Sequence, residues 1–221
     1  MYFVISTRRF ANMKRELSIA EKLLQINAVK LNPQNPFTWA SGWKSPIYCD
    51  NRKILSYAHV RDYIKSEMTN AVFTEFPDAE VIAGVATAGI PWGALVADLL
   101  SLPFIYVRSK PKEHGMGNQI EGVLHAGQKV VVIEDLISTG KSSLEAVKAI
   151  QEAQGEVVGL CSVFTYEFPI AQQIFSAENI KTLSLSNYSS LIDIALEKKI
   201  ISDDEVTLLK SWRENPSEWG K

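Results

Sequence analysis

The chain has 221 residues, of which 46% are hydrophobic and 22% charged, so it is long enough for one sizeable α/β domain. Its 23 basic and 25 acidic residues give a formal net charge of −2, which offers no basic field for nucleic acid. No apolar run approaches the roughly 20 residues that span a bilayer, and MYFVISTRRFANMK is not a secretory signal. Cys49 and Cys161 form no CxxC pair. We therefore expect a cytoplasmic protein with reduced thiols and neither nucleic-acid nor membrane partners.

The first part of the chain predicts one helix followed by irregular segments. The helical pattern begins after Met13, and we interpret residues 1–12 as an N-terminal extension without an assigned role. Apolar residues at helical spacing then predict an amphipathic helix: Leu17, Ala20, Leu23, Leu24 and Ala28. Three prolines exclude a long helix from the next segment, which predicts irregular chain with short strands: Pro33, Pro36 and Pro46. A second helix is expected over about residues 58–76.

From residue 81 onward, short apolar runs alternate with helical stretches. Strands are predicted at VIAGVAT (81–87), FIYVR (104–108), KVVVIED (129–135) and VVGLCSVFTY (157–166). Helices are predicted over 89–100 and 142–153, with a peripheral one over 203–219. This alternation indicates βαβ units and a central, mainly parallel sheet flanked by helices. Ligands bind beyond the carboxyl ends of such strands, so three loops should face one site: 86–91, 108–122 and 134–143.

The loop VVVIEDLISTGKSS (130–143) carries two acids ahead of a hydroxyl-rich turn. Its glycine, lysine and serine suggest a nucleotide-binding P-loop, but the required glycine five residues before Gly140 is Asp135. The turn still predicts a phosphate site, because the free N–H groups at a helix N-terminus attract anions. Glu134 and Asp135 would then accept hydrogen bonds from a sugar diol, or attract Mg²⁺. The structural alternative is a solvated strand end with a serine N-cap.

Three segments carry a resemblance to known enzymes. The 130–143 loop resembles the phosphoribosyl pyrophosphate (PRPP) signature of type I phosphoribosyltransferases. FTWASGWKSPIYCDNR (37–52) resembles the N-terminal substrate hood of the orotate phosphoribosyltransferases, and RSKPKEHGMGNQIEG (108–122) resembles their mobile catalytic loop. With GVATAGIP (84–91), the resemblance covers about residues 24–170. It implies the type I phosphoribosyltransferase fold as one structural domain, with a helix and small hood over 13–56 and a core with C-terminal helices over 57–221.

The resemblance also implies a role for each group of residues. Arg108, Lys112 and His114 would act in catalysis by stabilising the departing pyrophosphate. The PRPP site would comprise Arg108, Lys112, His114, Glu134, Asp135, Leu136, Ile137, Ser138, Thr139, Gly140, Lys141 and Ser142. The orotate site would comprise Ser138, Lys44, Tyr48 and Arg52. Mg²⁺ would arrive with PRPP rather than in a metal site of the protein, and a homodimer would share its active sites through the 108–122 loop.

The chain departs from the family pattern at two positions. Ala88 stands where some members have a lysine, and Tyr166 where some have an arginine for the orotate carboxylate. Arg52 is our hypothesis for that carboxylate, because it lies beside the hood. Both segments also have purely structural explanations. The hood aromatics at 39, 43 and 48 would suit simple hairpin packing, and a lysine-rich loop is often only a solvated surface. His59 and His125 are expected to be structural or exposed.

Two rival functions share part of the pattern. A purine-type phosphoribosyltransferase would keep the 130–143 loop but lack the SGWKSP segment of the hood. A regulatory sensor with the same fold would lack RSKPKEHG and would carry a DNA-binding segment, which the sequence does not suggest.

Overall fold

The structure, a computed structural model, describes residues 2–39, 41–109 and 119–220, with side chains from residue 12 onward. The helices are α1 (Tyr2–Gln25), α2 (Ala58–Glu75), α3 (Gly89–Leu100), α4 (Lys141–Glu152), α5 (Pro169–Ala177), α6 (Tyr188–Glu197) and α7 (Asp203–Glu214), with a 3₁₀ helix over Asn51–Ser56. The strands are β1 (Val29–Leu31), β2 (Phe37–Thr38), β3 (Lys44–Ser45), β4 (Ile47–Cys49), β5 (Val81–Val85), β6 (Phe104–Val107), β7 (Ile120–Glu121), β8 (Lys129–Ile137), β9 (Glu156–Thr165) and β10 (Thr182–Asn187).

Six strands form the central sheet, in the order β10-β9-β8-β5-β6-β7. All neighbours pair in parallel except β6 and β7, which are antiparallel. Successive side chains on a strand point to opposite faces. Ile82 accordingly packs with α1, α2, α3, α6 and α7, whereas Val81 and Ala83 pack on the face covered by α4 and α5. The predicted architecture, a mainly parallel sheet between helices, is confirmed.

Two small antiparallel sheets precede this core, β1 with β4 and β2 with β3. In the β2–β3 hairpin the Trp39 N–H donates to the Trp43 carbonyl at 2.9 Å. Gly42, with φ of 86°, takes the left-handed conformation that this tight turn requires. The Trp39 indole donates to the Ile47 carbonyl at 3.1 Å and so joins the hairpin to β4. Short strands were expected here, and the prolines keep the segment from becoming helical.

The first helix differs from the prediction at both ends. It begins at Tyr2 rather than after Met13, so residues 2–12 continue the same helix. It ends at Gln25, because Asn27 takes a left-handed φ of 54° and the Ala28 N–H donates to the Leu23 carbonyl at 2.9 Å. Ala28, predicted as a helical residue, therefore lies beyond the helix, although its side chain is buried.

Four elements were not predicted, namely β7, α5, β10 and α6. The strand β10 reads TLSLSN, and its serines gave no apolar signal. Their hydroxyls are satisfied across the fold: Ser186 donates to the Glu16 carbonyl at 2.8 Å, and Ser184 lies 2.7 Å from the Ser162 hydroxyl. Such partners depend on tertiary structure and are invisible in a single segment.

The C-terminal helix was predicted to be peripheral over 203–219, and this is wrong in two respects. Helix α7 ends at Glu214, and its Trp212 side chain is fully buried. Trp212 packs edge-on against Trp39 of the hairpin, with ring centroids 5.7 Å apart. The helix is thus part of the core beneath the hairpin. Within the described residues, no helix combines the length and apolar character needed to cross a membrane.

Candidate active site

The described parts of the predicted loops lie at the carboxyl edge of the sheet. Strand β5 lies between β8 and β6; Ala86 and Arg108 directly follow β5 and β6, and Asp135 lies two residues before the end of β8. Arg108 is anchored through its backbone, whose N–H donates to the Gln119 carbonyl at 2.9 Å, and its guanidinium lies 3.5 Å from the Glu121 carboxylate. Two further predicted residues, Lys112 and His114, lie outside the described residues.

In the acid pair on β8, Glu134 is buried and Asp135 is half-buried, so the pair is not a fully solvated strand end. Glu134 is 5% exposed; one carboxylate oxygen accepts the Asp135 N–H at 3.0 Å and the other accepts the Ser143 hydroxyl at 3.2 Å. Burial, and then the negative charge of Asp135, raise the pKa of Glu134 well above its usual value. Burial also raises the pKa of Asp135, against the lowering effects of its hydrogen bond with Glu134 and of the nearby Arg52 charge.

Gly89 explains how the start of helix α3 can lie so close to Glu134 on β8. A Cβ atom at Gly89 would lie 2.5 Å from the Ile133 carbonyl oxygen and 3.4 Å from a Glu134 carboxylate oxygen. Only a residue without a side chain fits at this start of α3, directly against the end of β8. The 86–91 loop is therefore held against the acid pair.

The hydroxyl-rich turn leads from β8 into helix α4. Ser138 and Thr139 are half-buried, and α4 begins at Lys141, which is exposed together with Ser142. The N-cap is Gly140, with φ of 78° and no side-chain cap, so the alternative of a serine N-cap is not observed. Without a side-chain cap, the first N–H groups of the helix remain available to an anion.

Two predicted PRPP residues in this segment differ in what they expose. The Ile137 side chain is 3% exposed, so this residue can offer a ligand only its backbone. Leu136 is half-buried and lines a cavity of about 260 Å³. The cavity lies between the hood and the β8 loop, and its lining consists of Thr38, Trp39, Tyr48, Cys49, Leu136, Ser138 and Tyr166. The acid pair and the turn thus adjoin a largely aromatic pocket.

Tyr166 forms the floor of this cavity, at the position where an arginine was sought. It is 2% exposed and packs against Trp39 at 5.2 Å, Phe168 at 5.3 Å and Trp212 at 5.7 Å between ring centroids. Burial raises the pKa of Tyr166 well above its usual value, so its hydroxyl remains protonated and can donate a hydrogen bond. Trp39 therefore has two roles, since it packs the hairpin and lines the cavity.

The predicted cations of the hood lie around the cavity rather than in its lining. The Lys44 ammonium donates to the Thr38 hydroxyl at 2.9 Å, and Thr38 does line the cavity. Arg52, with its side chain 65% exposed, bonds the Asp50 carboxylate at 2.6 Å and thereby lowers the pKa of that acid. Tyr48, which is 40% exposed, lines the cavity as expected.

The structure adds residues that the sequence patterns did not indicate. Cys49 lines the cavity, Ser143 holds Glu134, and Trp212 supports the hairpin from α7. Cys49 lies inside the hood motif and Ser143 ends the 130–143 loop, whereas Trp212 lies outside every motif. Both cysteines are free thiols, and His59 and His125 are exposed, as predicted.

The fold and this site together define a phosphoribosyltransferase. Residues 51–196 match the phosphoribosyl transferase domain family. The chain is 54% identical over 204 residues to an orotate phosphoribosyltransferase of Bacteroides fragilis, which covers 92% of this chain and 96% of that protein. The chain belongs to the orotate phosphoribosyltransferase family.

Solved structures agree with this assignment at the level of the fold. The crystal structure of an orotate phosphoribosyltransferase from Aeropyrum pernix matches 83% of this chain and 99% of its own, with a TM-score of 0.71 and 24% identity. That of the Mycobacterium tuberculosis enzyme in complex with 5-phospho-alpha-D-ribosyl 1-diphosphate matches 80% of this chain and 98% of its own, with a TM-score of 0.61 and 25% identity.

Proposed function

We propose that the chain transfers the 5-phosphoribosyl group from PRPP to orotate, giving orotidine 5′-monophosphate and pyrophosphate in de novo pyrimidine (UMP) synthesis. The observation that carries this proposal is the shared position of Ser138, which lines the aromatic cavity and also begins the turn before α4. A planar base in the cavity would lie next to a ribose phosphate held by that turn. Identity of 54% to an orotate phosphoribosyltransferase supports this base over a purine.

The turn and the acid pair would hold the ribose 5-phosphate. The N-terminus of α4 and the hydroxyl and amide groups of Ser138–Ser142 would bind the phosphate, while Leu136 and Ile137 would contribute backbone groups. This remote anchor would orient the reacting carbon. Glu134 and Asp135 would accept hydrogen bonds from the ribose hydroxyls. Breaking the anomeric C–O bond places positive charge on the sugar, and the negative potential of the acid pair would stabilise that charge.

The leaving pyrophosphate would be stabilised by cations. Arg108 directly follows β6, which is separated from β8 by β5. We assign Lys112 and His114 to the same role through the family resemblance. Delivery of Mg²⁺ by PRPP is supported by the family resemblance. The carboxylate of Asp135 is the oxygen type that Mg²⁺ prefers and would face it. When bound, Mg²⁺ would neutralise charge on the departing pyrophosphate.

The base would enter the cavity beneath the hood (37–52), which belongs to the N-terminal segment of helix and hood over 13–56. Tyr48 and Trp39 offer aromatic surfaces for a planar ring. Ser138 would contact the base, and Lys44, held by Thr38 at the cavity edge, would supply the nearest charge for an anionic substrate. Arg52 remains our hypothesis for the orotate carboxylate. Its ion pair with Asp50 would have to open or rotate for this role.

We also propose a cytoplasmic homodimer whose subunits share their active sites. The family resemblance supports this through the 108–122 loop, which would reach the neighbouring subunit and exclude water during the reaction. Sedimentation would give the subunit number. Mixing an inactive Asp135→Asn chain with an inactive Lys112→Ala chain would restore activity if the sites are shared.

The function is tested by following the absorbance of orotate in the presence of PRPP and Mg²⁺. Loss of orotate with release of pyrophosphate is the expected result. Turnover of adenine or hypoxanthine in place of orotate would instead identify a purine enzyme, and binding of PRPP without turnover of any base would favour a sensor.

A further inference from the structure

Asn51 occupies an unusual place between the hood and the PRPP loop. It directly follows Asp50, at the start of the 3₁₀ helix after β4, and it is 1% exposed. A buried amide with two donors and an acceptor is costly unless it is hydrogen-bonded. The hydrogen-bond partners of the Asn51 side chain should therefore explain why a polar residue is buried at this position.

Both ends of the Asn51 side chain are engaged, and by different parts of the fold. Its Nδ2 donates to the backbone carbonyl of Asp135 at 2.8 Å, across 84 residues of sequence. Its Oδ1 accepts the thiol of Cys49 at 3.3 Å. The Asp135 carbonyl stands at the end of β8, beyond Ile133, the last residue paired with β5. Asn51 thus supplies a hydrogen-bond donor to the Asp135 carbonyl, which lies beyond the residues of β8 that pair with β5.

These two bonds connect two segments that line the base cavity. Cys49 lines the cavity from the hood, and Leu136, the neighbour of Asp135, lines it from the β8 loop. One short side chain therefore sets the spacing between the hood and the residues that precede the phosphate turn. A change of about 1 Å in such a spacing is large for a planar ligand that must meet a fixed ribose carbon.

We propose that Asn51 is a positioning residue that fixes the width of the base cavity and thereby determines the affinity for orotate. The inference rests on the proposed function, since it assigns the cavity to the base. Asn51 does not touch the substrate; it acts through Cys49 and the β8 backbone. The phosphate turn begins at Ser138, beyond the Asp135 carbonyl that Asn51 holds, and leads into α4. KM for PRPP should therefore rise less than KM for orotate, although Asp135 belongs to the proposed PRPP site.

The test compares KM for orotate with KM for PRPP in Asn51→Ala and Asn51→Leu. The leucine variant keeps roughly the volume of the side chain, adds no charge, and removes both the donor to Asp135 and the acceptor for Cys49, so it addresses these bonds even if the alanine variant folds poorly. We expect the altered cavity width to raise KM for orotate about tenfold and KM for PRPP by less than about threefold. Urea unfolding would verify that each variant is folded under assay conditions.

Asn187→Ala is the matched control. Asn187 caps α6, its side chain accepting the Ser190 N–H at 2.8 Å, and it lies outside the base cavity. Its loss should lower stability and leave both KM values unchanged. An unchanged KM for orotate in folded Asn51 variants, or an equal rise in both KM values, would overturn the inference. The unmodified chain is assayed first. If it does not consume orotate, the proposed function is refuted, independently of the role of Asn51.

Discussion

Replacing Trp212 by alanine should both destabilise the protein and weaken the base site. The indole is fully buried and packs against Trp39, Tyr166 and Phe168. A tryptophan buries roughly 150–250 Å², which at about 25 cal/mol per Å² corresponds to roughly 4–6 kcal/mol. Measured aromatic truncations cost about 3–5 kcal/mol, and the lost bond from the indole to the Lys44 carbonyl at 3.2 Å adds about 1 kcal/mol. We expect a loss of about 4 kcal/mol.

Urea unfolding measures this loss as a shift of the midpoint, and Lys210→Ala on the exposed face of the same helix is the control. Trp212→Phe keeps most of the packing but leaves the Lys44 carbonyl without its donor, so it should cost roughly 2 kcal/mol. KM for orotate should rise in the phenylalanine variant, since Trp39 and Tyr166 line the cavity. A loss below about 1 kcal/mol for Trp212→Ala would refute the view that α7 supports the hood.

Three further predictions concern the acid pair, the phosphate turn and the thiols. The raised pKa of Glu134 means that the folded state binds its proton more tightly than the unfolded state, so this group makes stability fall as pH rises from about 4.5 towards the folded pKa. Glu134→Gln should therefore be more stable than the unmodified chain at pH 8 in urea, with no such gain at pH 4, and should lose most activity; an equal effect at both pH values would contradict the reasoning. Gly140→Ala places a side chain at a left-handed φ and within 2.8 Å of an α5 aromatic ring, so KM for PRPP should rise at least about tenfold. The control is Gly127→Ala, which also has a positive φ but has open space around it and should leave KM for PRPP unchanged. Burial raises the pKa of Cys49, and that of Cys161 to about 12, so both thiols should react slowly with a disulfide reagent at pH 8 until the protein unfolds; rapid labelling of Cys161 in the folded protein would contradict its burial.

The central sheet was predictable because its strands are buried on both faces and carry continuous apolar runs. The apolar runs in KVVVIED and VVGLCSVFTY predict β8 and β9 for this reason. Strand β10 did not, because its alternating serines find their partners in α1 and β9. Helix α7 reads as a polar surface helix, and only the assembled fold shows that Trp212 turns into the aromatic cluster.

The site was predictable where chemistry is concentrated in one loop. The acids and the hydroxyl-rich turn are contiguous, so residues 134–142 could be proposed together. The cavity is different, since Thr38, Leu136 and Tyr166 come from three separate segments. Asn51 gave no signal, because a buried bridge between a thiol and a backbone carbonyl has no sequence pattern. Arg52 was proposed from its position alone, and the structure pairs it with Asp50.

The packing of Trp39 makes the intrinsic tryptophan fluorescence of the protein sensitive to the state of the cavity. Its ring lies 6.5 Å from that of Trp43 and 5.7 Å from that of Trp212, so three of the five tryptophans form one group, of which Trp39 lines the cavity. Indoles at such distances exchange excitation energy, and their combined emission and near-ultraviolet circular dichroism depend on their relative orientation. Binding of a ligand in the cavity should therefore change the intrinsic fluorescence of the unlabelled chain.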